Sequence, residues 1–280
     1  PLGEWEAIRR LRSLILRYGG WRVYGALNLF YLYRTLLGRH RLGFCDALIC
    51  GSRWSVGMWR REGVPAEAIH ALPYPIDLER FTPEGPGART PGVTTFLWLG
   101  RIVPRKRFDL LLDAYRLVRR ERTDVRLRIF GSIAYPRGYQ TLIEGIGPEE
   151  GIAYQPTIAT EQVPELLRSV DVLVQPSENE NLGSSVTEAL SCGTPVIVGP
   201  TNGTRDYISP SSLVLEAYTP EALKRAMLCM IDRLRSDADR IRAEARATAE
   251  EQVAPAVVAC RLCALLAEVR ARAQRRGVRH

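Results

Sequence analysis

The sequence predicts an α/β protein built on a doubly wound parallel sheet, and three observations predict it. From about residue 91, short β-rich runs alternate with helix-length amphipathic runs, the pattern of parallel strands covered by helices on both faces. Between the first two runs, Phe108, Leu111, Leu112, Tyr115 and Val118 recur at helical spacing, as a crossover helix requires. The chain has 280 residues, 46% of them hydrophobic and 25% charged, enough to bury one large or two medium cores without disulfide or metal staples.

Taken in order, Trp5, Ile8, Leu11 and Ile15 mark one amphipathic helix and Trp21 to Leu37 a very apolar second. Asp46 to Cys50 is the one strand expected in the first 90 residues. A βαβ unit takes roughly 30 residues, so a complete doubly wound domain does not fit there. This part reads either as a small helical domain or as the tail of a larger one. Pro83-Glu84-Gly85-Pro86-Gly87 is a linker. Strands are then expected at Thr94 to Leu99, Val125 to Phe130, Gly151 to Tyr154, Asp171 to Gln175, Pro195 to Val198 and Ser212 to Leu215. A helical region from Pro220 to about Ala273 ends the chain, and no repeat of fixed period is visible.

The net charge of +8 is concentrated at both ends, while the middle is mildly acidic. No nucleic-acid-binding module accompanies it, so nucleic acid is not an expected partner. Only Lys106 and Lys224 are lysines among 39 basic residues, which singles both out. The six cysteines include the pair Cys260 and Cys263, but no second pair completes a zinc site; free buried thiols of a cytoplasmic protein are expected instead. No secretory signal is present, and the apolar stretch Ala26 to Leu37 is too short to span a membrane and is cut by Arg34. Because the chain begins at Pro1 rather than Met, it is expected to be a processed or truncated piece.

Two constellations carry candidate chemistry. The first runs from Leu99 and Gly100 through Arg101 and Lys106 to Arg107, between a strand and the helix starting near Phe108. Glycine lets the backbone approach a ligand, the helix N-terminus favours an anion, and Arg101 and Lys106 add charge suited to phosphates; the plain alternative is a solvated basic loop. The second runs from Pro176 to Pro195, in the crevice at the carboxyl ends of the strands where doubly wound proteins bind ligands. Gly183, Ser184 and Ser185 suit a helix N-terminus open to an anion. Glu180 and Glu188 stand eight apart as acceptors for vicinal hydroxyls, or simply as solvated acids.

Together these segments resemble glycosyltransferase family 4, retaining enzymes of the GT-B fold. The resemblance runs from about Ala47 to Met230. It takes in Gly63-Val64-Pro65, Ile69, Pro73, Ile76-Asp77, Phe81 and Pro83 as the interdomain segment, the Gly-Arg-x-x-x-x-Lys loop at 100–106, and Ile129-Phe130-Gly131. The family's Glu-x7-Glu signature falls on Glu180 and Glu188, followed by Ala189-Leu190-Ser191-Cys192-Gly193-Thr194-Pro195-Val196. The resemblance implies that Arg101 and Lys106 hold the donor diphosphate beside Gly100 and stabilise the leaving group. It further implies that Glu180 binds the donor sugar, that the amides of Asn181, Leu182 and Gly183 face sugar and phosphate beside Ser184, and that Glu188 binds the ribose. The backbone at Pro156 or Thr157 would meet the base. Three departures stand out: Asn181-Leu182 replaces Gly-Phe, Arg107 replaces the glycine after the lysine, and Tyr74-Pro75 replaces Asn-Gly.

The resemblance therefore implies a GT-B type α/β fold in three parts: residues 1–88, a partial, mostly helical remnant of the acceptor-side domain with the interdomain segment; residues 91–255, the Rossmann-like donor domain; and residues 256–280, a helix crossing back. The implied activity is sugar transfer from a nucleotide-diphosphate sugar to an acceptor hydroxyl, glycan or lipid-linked, with no metal or other cofactor. Of the three histidines, His40 and His280 offer no catalytic placement and His70 is expected to be structural, so no acceptor-side catalyst is nominated. Trp21 to Arg41 could lie in a membrane interface or be a buried helix, and a basic face shared with the last helix would favour anionic lipid. The alternatives are a non-catalytic nucleotide-sugar-binding half, or a nucleotide-sugar epimerase, whose acid and base residues are not apparent.

Overall fold

The computed structural model describes residues 6, 8–38, 45–134 and 136–277; Trp5, His40 and His280 lie outside them. The first long helix, α1 (Arg12–Gly38), is interrupted at Gly20, whose φ of 74° and ψ of 178° leave the helical region. The two predicted helices thus meet at a glycine, the residue that adopts such a φ without steric cost. Ile8, Leu11 and Ile15 are buried and pack with Val23, Tyr24, Leu27 and Tyr31, so the amphipathic stripe folds against the segment beyond the kink. Tyr18 stacks on Tyr139 at 4.2 Å between ring centroids, which fastens α1 to the sheet body.

Next come β1 (Leu48–Cys50), α2 (Arg53–Arg61) and β2 (Ile69–Ala71). Ser52 caps α2, its hydroxyl accepting from the Ser55 amide at 3.2 Å. Strands β1 and β2 pair in parallel, Leu48 opposite Ile69, so the front part holds a compact βαβ unit. The sequence reading of a single strand before residue 90 is corrected here: Ile69-His70-Ala71 is a three-residue strand between Pro65 and Pro73, too short for alternation to reveal.

The main sheet contains β3 (Thr94–Leu99), β4 (Val125–Phe130), β5 (Ile152–Gln155), β6 (Val172–Gln175), β7 (Val196–Val198) and β8 (Leu213–Val214), each within two residues of its predicted position. Their order is β5-β4-β3-β6-β7-β8, and every pairing is parallel. The chain winds outward from β3 through β4 to β5, then returns to the other side of β3. The topological switch therefore falls between β3 and β6, and the crevice outside their carboxyl ends is where the two candidate loops emerge.

Successive side chains of β3 point to opposite faces. Phe96 and Trp98 pack under α3 (Phe108–Glu121) in one core, while Leu97 packs in the other with Leu166, Leu167, Val186 and Leu190 of α5 (Val163–Arg168) and α6 (Ser184–Ser191). Between β4 and β5 lies α4 (Pro136–Glu144), which carries Tyr139. Helix α7 (Pro220–Val253) leaves helical geometry at Asp237, and α8 (Pro255–Gly277) follows it. Arg272 on α8 donates to the Glu67 carbonyl and lies 3.3 Å from His70 Nε2, so the last helix reaches the front segment. Within Pro220–Arg275 an 18-residue window of mean hydropathy 1.6 is long and apolar enough to cross a membrane, and 11% of it is buried. All six thiols are free, but only Cys50 and Cys192 are buried; the other four are exposed, contrary to the expectation of buried thiols.

Candidate functional site

The loop after β3 is shaped by two glycines on neighbouring strands. Gly100 has a φ of 146°, and a Cβ on Gly131 would lie 1.9 Å from the Gly100 carbonyl oxygen, so only glycine at 131 lets the two chain segments run this close. Beyond Gly100, Pro104–Lys106 forms a single 3-10 turn and Arg107 takes left-handed geometry, with φ 57° and ψ 45°. That turn directs Arg105 and Lys106 toward the loop after β6.

There Glu180 receives both cations on one oxygen: Lys106 Nζ at 2.6 Å and Arg105 Nη1 at 2.8 Å from Oε2. The Lys106 side chain is 15% exposed and that of Glu180 10%, so this is a half-desolvated cluster rather than a surface pair. Burial lowers the Lys106 pKa; Glu180 opposes that shift, and the Arg105 and Arg101 charges add to it. Burial pushes the Glu180 carboxyl up, but Lys106 and Arg105 outweigh it and hold the group below its ordinary value. Arg101 is exposed and makes no hydrogen bond or ion pair with Glu180 among the described residues; Arg105, which the sequence reading did not single out, does.

A second layer secures the geometry. Arg107 Nη1 lies 2.5 Å from Glu178 Oε1, its guanidinium sits 5.5 Å from the Tyr218 ring centroid, and the Glu178 amide donates to the Arg105 carbonyl at 2.7 Å. The Glu180 carbonyl accepts from the Gly203 amide at 2.8 Å. Both loops are therefore bonded to each other through main chain and side chain.

The residues after Glu180 divide in role. The Asn181 side chain turns away from Lys106 toward the front segment: its Oδ1 accepts from the Gly51 amide at 3.2 Å and the Ser55 hydroxyl at 2.5 Å, and its Nδ2 donates to Tyr74 at 3.4 Å. Two of the three departures from the family pattern, at 74 and 181, thus meet each other. Leu182 is buried, and Gly51 faces it so closely that a Cβ there would lie 3.0 Å from the Leu182 Cβ. The Gly183 amide donates to Thr204 Oγ1 at 2.7 Å, so of the three amides expected to face a ligand this one is already engaged within the chain. Gly183 precedes α6, whose first residue Ser184 is exposed.

Glu188, one turn into α6, is half-buried, and burial raises its pKa, with Arg80 the only opposing charge. No hydrogen bond or ion pair engages its carboxylate among the described residues. Thr157 is exposed just past β5, on the same carboxyl edge of the sheet but two strands out from β3. Lys224 pairs with Glu121 between α7 and α3, away from these loops. Arg10 reaches the crevice from the N-terminal helical segment, 3.5 Å from Asn179 Oδ1, a contact with no signal in the sequence. Among the described residues no group of three His, Cys, Asp or Glu side chains is placed to hold a metal.

Residues 87–248 match the family model described as Glycosyl transferases group 1. The chain is 30% identical over 224 residues to a D-inositol 3-phosphate glycosyltransferase of Geodermatophilus obscurus, covering 74% of this chain and 49% of that protein. It is 28% identical over 178 residues to a GDP-mannose-dependent alpha-(1-6)-phosphatidylinositol monomannoside mannosyltransferase of Mycolicibacterium smegmatis, covering 58% and 46%. The chain thus spans about half the length of the curated relatives it matches. Among solved structures, Anabaena Alr3699/HepE in complex with UDP-glucose superposes with a TM-score of 0.66 at 17% identity, over 80% of this chain and 64% of that one. WaaG, a glycosyltransferase involved in lipopolysaccharide biosynthesis, superposes with a TM-score of 0.64 at 20% identity, over 88% and 67%. These likenesses establish the fold as the GT-B type.

Proposed function

The chain belongs to the family of glycosyl transferases group 1, and from that membership we propose that it forms the donor-binding part of a retaining, family 4 glycosyltransferase that takes a nucleotide-diphosphate sugar. The observation that carries this reading is the convergence of the half-buried Lys106 and the more exposed Arg105 on Glu180 at the switch point of the sheet. Within the chain the single acid answers both bases and leaves one positive charge in excess. A diphosphate entering beside Gly100 competes for Lys106, with Arg101 free to join it, and so releases Glu180 to accept hydrogen bonds from sugar hydroxyls. The cations then stabilise the charge that develops on the departing diphosphate, without covalent chemistry and without a metal. Glu188, a half-buried acid with no hydrogen-bond or ion-pair partner among the described residues, suits the two ribose hydroxyls. The backbone at Thr157 meets the base. The acceptor hydroxyl attacks from the face the diphosphate leaves; family resemblance supplies that stereochemistry.

We assign residues 1–88 to the acceptor side, 91–255 to the donor domain and 256–280 to the helix that returns to the front, as the contact of Arg272 with Glu67 supports. The acceptor is a polyol, glycan or lipid-linked hydroxyl; the two curated relatives, whose names specify inositol phosphate and a phosphatidylinositol mannoside, support an acceptor that carries phosphate. The location that fits is cytoplasmic, with peripheral contact at the membrane, for which the exposed apolar side chains of α1 speak.

A thermal-shift panel with UDP, GDP, ADP and dTDP, run on this chain and on Glu188→Ala, tests the donor site. Stabilisation by one diphosphate, lost in the variant, is the expected result. An equal response from both proteins would remove Glu188 from the site, and no response to any diphosphate would remove the donor site itself.

A further inference from the structure

A second concentration of charge lies at the opposite, amino end of the sheet, where β3 begins at Thr94 and Asp171 leads into β6. A cavity of about 280 Å³ opens there, lined by Arg89, Thr90, Gly92, Asp171, Arg235 and Arg242 among others. Asp171 is nearly saturated. Its Oδ2 accepts from the Thr95 amide at 2.9 Å, and its Oδ1 serves both Arg242 Nη2 at 3.0 Å and Arg89 Nε at 3.6 Å. Arg235 shares Asp124 with Arg122. Three arginines, Arg89, Arg235 and Arg242, thus line the cavity with Asp171 as the one carboxylate in its lining, and Asp124 outside it answers Arg235.

Arg89 and Arg242 hold the inner, less exposed part of this charge, and Arg235 the outer. Arg242 Nη1 is buried and has no hydrogen-bond partner. The Arg89 guanidinium is pushed down to about 10, by burial first and then by the neighbouring Arg242 charge. A guanidinium beside a like charge is unfavourable, and a phosphate in the cavity relieves that repulsion because arginine forks match phosphate geometry.

We propose that this cavity is an anion site for a phosphate group, either free or at the end of a small molecule, separate from the donor crevice. Arg242 and Arg89 grip the phosphate over Asp171, Arg235 closes the outer side, and the space left along the Thr90 to Thr94 turn takes the rest of the molecule. Such a ligand ties the linker that carries Arg89 to helix α7 on both sides of its break at Asp237.

The test is a thermal-shift titration of the full chain with inorganic phosphate at constant ionic strength, against chloride, with glycerol 3-phosphate as a second arm. Wild type, Lys106→Ala, Arg242→Met and Arg235→Met are compared. A saturable rise in Tm is expected in wild type and in Lys106→Ala, with half-saturation at least tenfold weaker in Arg242→Met and Arg235→Met. Tighter binding of glycerol 3-phosphate than of phosphate identifies an esterified phosphate as the occupant; the reverse identifies the free ion. The proposal is overturned by the lack of a saturable shift in wild type, by arginine variants that respond as wild type does, or by loss of the shift in Lys106→Ala, which places the anion in the crevice. Should Arg242→Met not fold, Arg235→Met decides alone, since its side chain is half exposed and engages Asp124 rather than Asp171.

Discussion

Arg107 holds a backbone conformation that a Cβ resists, at the position where the resembled family carries glycine. Left-handed geometry costs a non-glycine residue roughly 1–2 kcal/mol. Here the ion pair with Glu178, the longer contact with Asp109 at 3.5 Å and the Tyr218 ring offset that cost. Arg107→Ala keeps the strain and loses every contact, so it should destabilise more than Arg107→Gly, by about 1 kcal/mol in urea unfolding. An alanine variant as stable as the glycine one would show that position 107 carries no strain. Glu188 presents the reverse situation, a carboxylate whose burial outweighs the opposing charge of Arg80. Its raised folded-state pKa makes the ionised form a penalty above that pKa, and the penalty fades as pH falls toward the unfolded value of 4.5. Glu188→Gln should therefore be more stable than wild type at pH 7, with the gap closing near pH 4.5, while its response to the nucleoside diphosphate weakens; a gap independent of pH would exclude a buried, ionised Glu188. The positions of Lys106, Glu180 and Glu188 were legible as a motif. The contact of Arg105 with Glu180 was not, because four cations in one basic loop look alike until the turn at Pro104–Lys106 and the left-handed residue after it set their directions.

Strand positions in the sheet domain could be read because a strand buried on both faces is a continuous apolar run, as Val172-Leu173-Val174 shows. Strand β2 escaped because three residues between prolines give no periodicity of their own. The contacts between elements were hidden for a different reason: they depend on close main-chain approach. Gly131 allows the end of β4 to lie against Gly100 at the end of β3, so Gly131→Ala should force the 100–107 loop outward. An overpacked contact of this kind costs about 1–3 kcal/mol, and diphosphate binding should weaken along with stability. Full diphosphate affinity in a folded Gly131→Ala protein would uncouple the loop's position from the glycine pair. Asn181 does similar work between the two parts of the chain, joining the crevice loop to Gly51 and Ser55 ahead of α2. Asn181→Ala should cost about 1–3 kcal/mol in urea unfolding, because the buried Ser55 hydroxyl and the Gly51 amide lose their acceptor. Tyr74→Phe should cost under about 0.5 kcal/mol, since its bond is long and the residue exposed.

The molecule as a whole carries a net charge of +8. The part of α1 beyond Gly20 exposes Trp21 at 68%, Leu29 at 69%, Tyr33 at 63% and Leu36 at 64%, with Arg22 and Arg34 exposed among them. Apolar rings and long aliphatic side chains interleaved with arginine suit the interface of an anionic membrane, where each basic residue near the surface contributes about 1 kcal/mol. The electrostatic share of that attraction is screened within about 8 Å at physiological salt, whereas the apolar share is not. The protein should therefore sediment with vesicles rich in anionic lipid and largely leave them at 0.5 M salt, and neutral vesicles should retain little of it. Replacing Leu29 and Phe30 together by glutamate should reduce sedimentation at least fivefold without changing the thermal shift from the nucleoside diphosphate, since both side chains are mostly exposed. Retention that ignores both salt and lipid charge would point to unspecific adhesion. Failure to sediment at all would mean that the exposed face of α1 does not meet an anionic lipid surface.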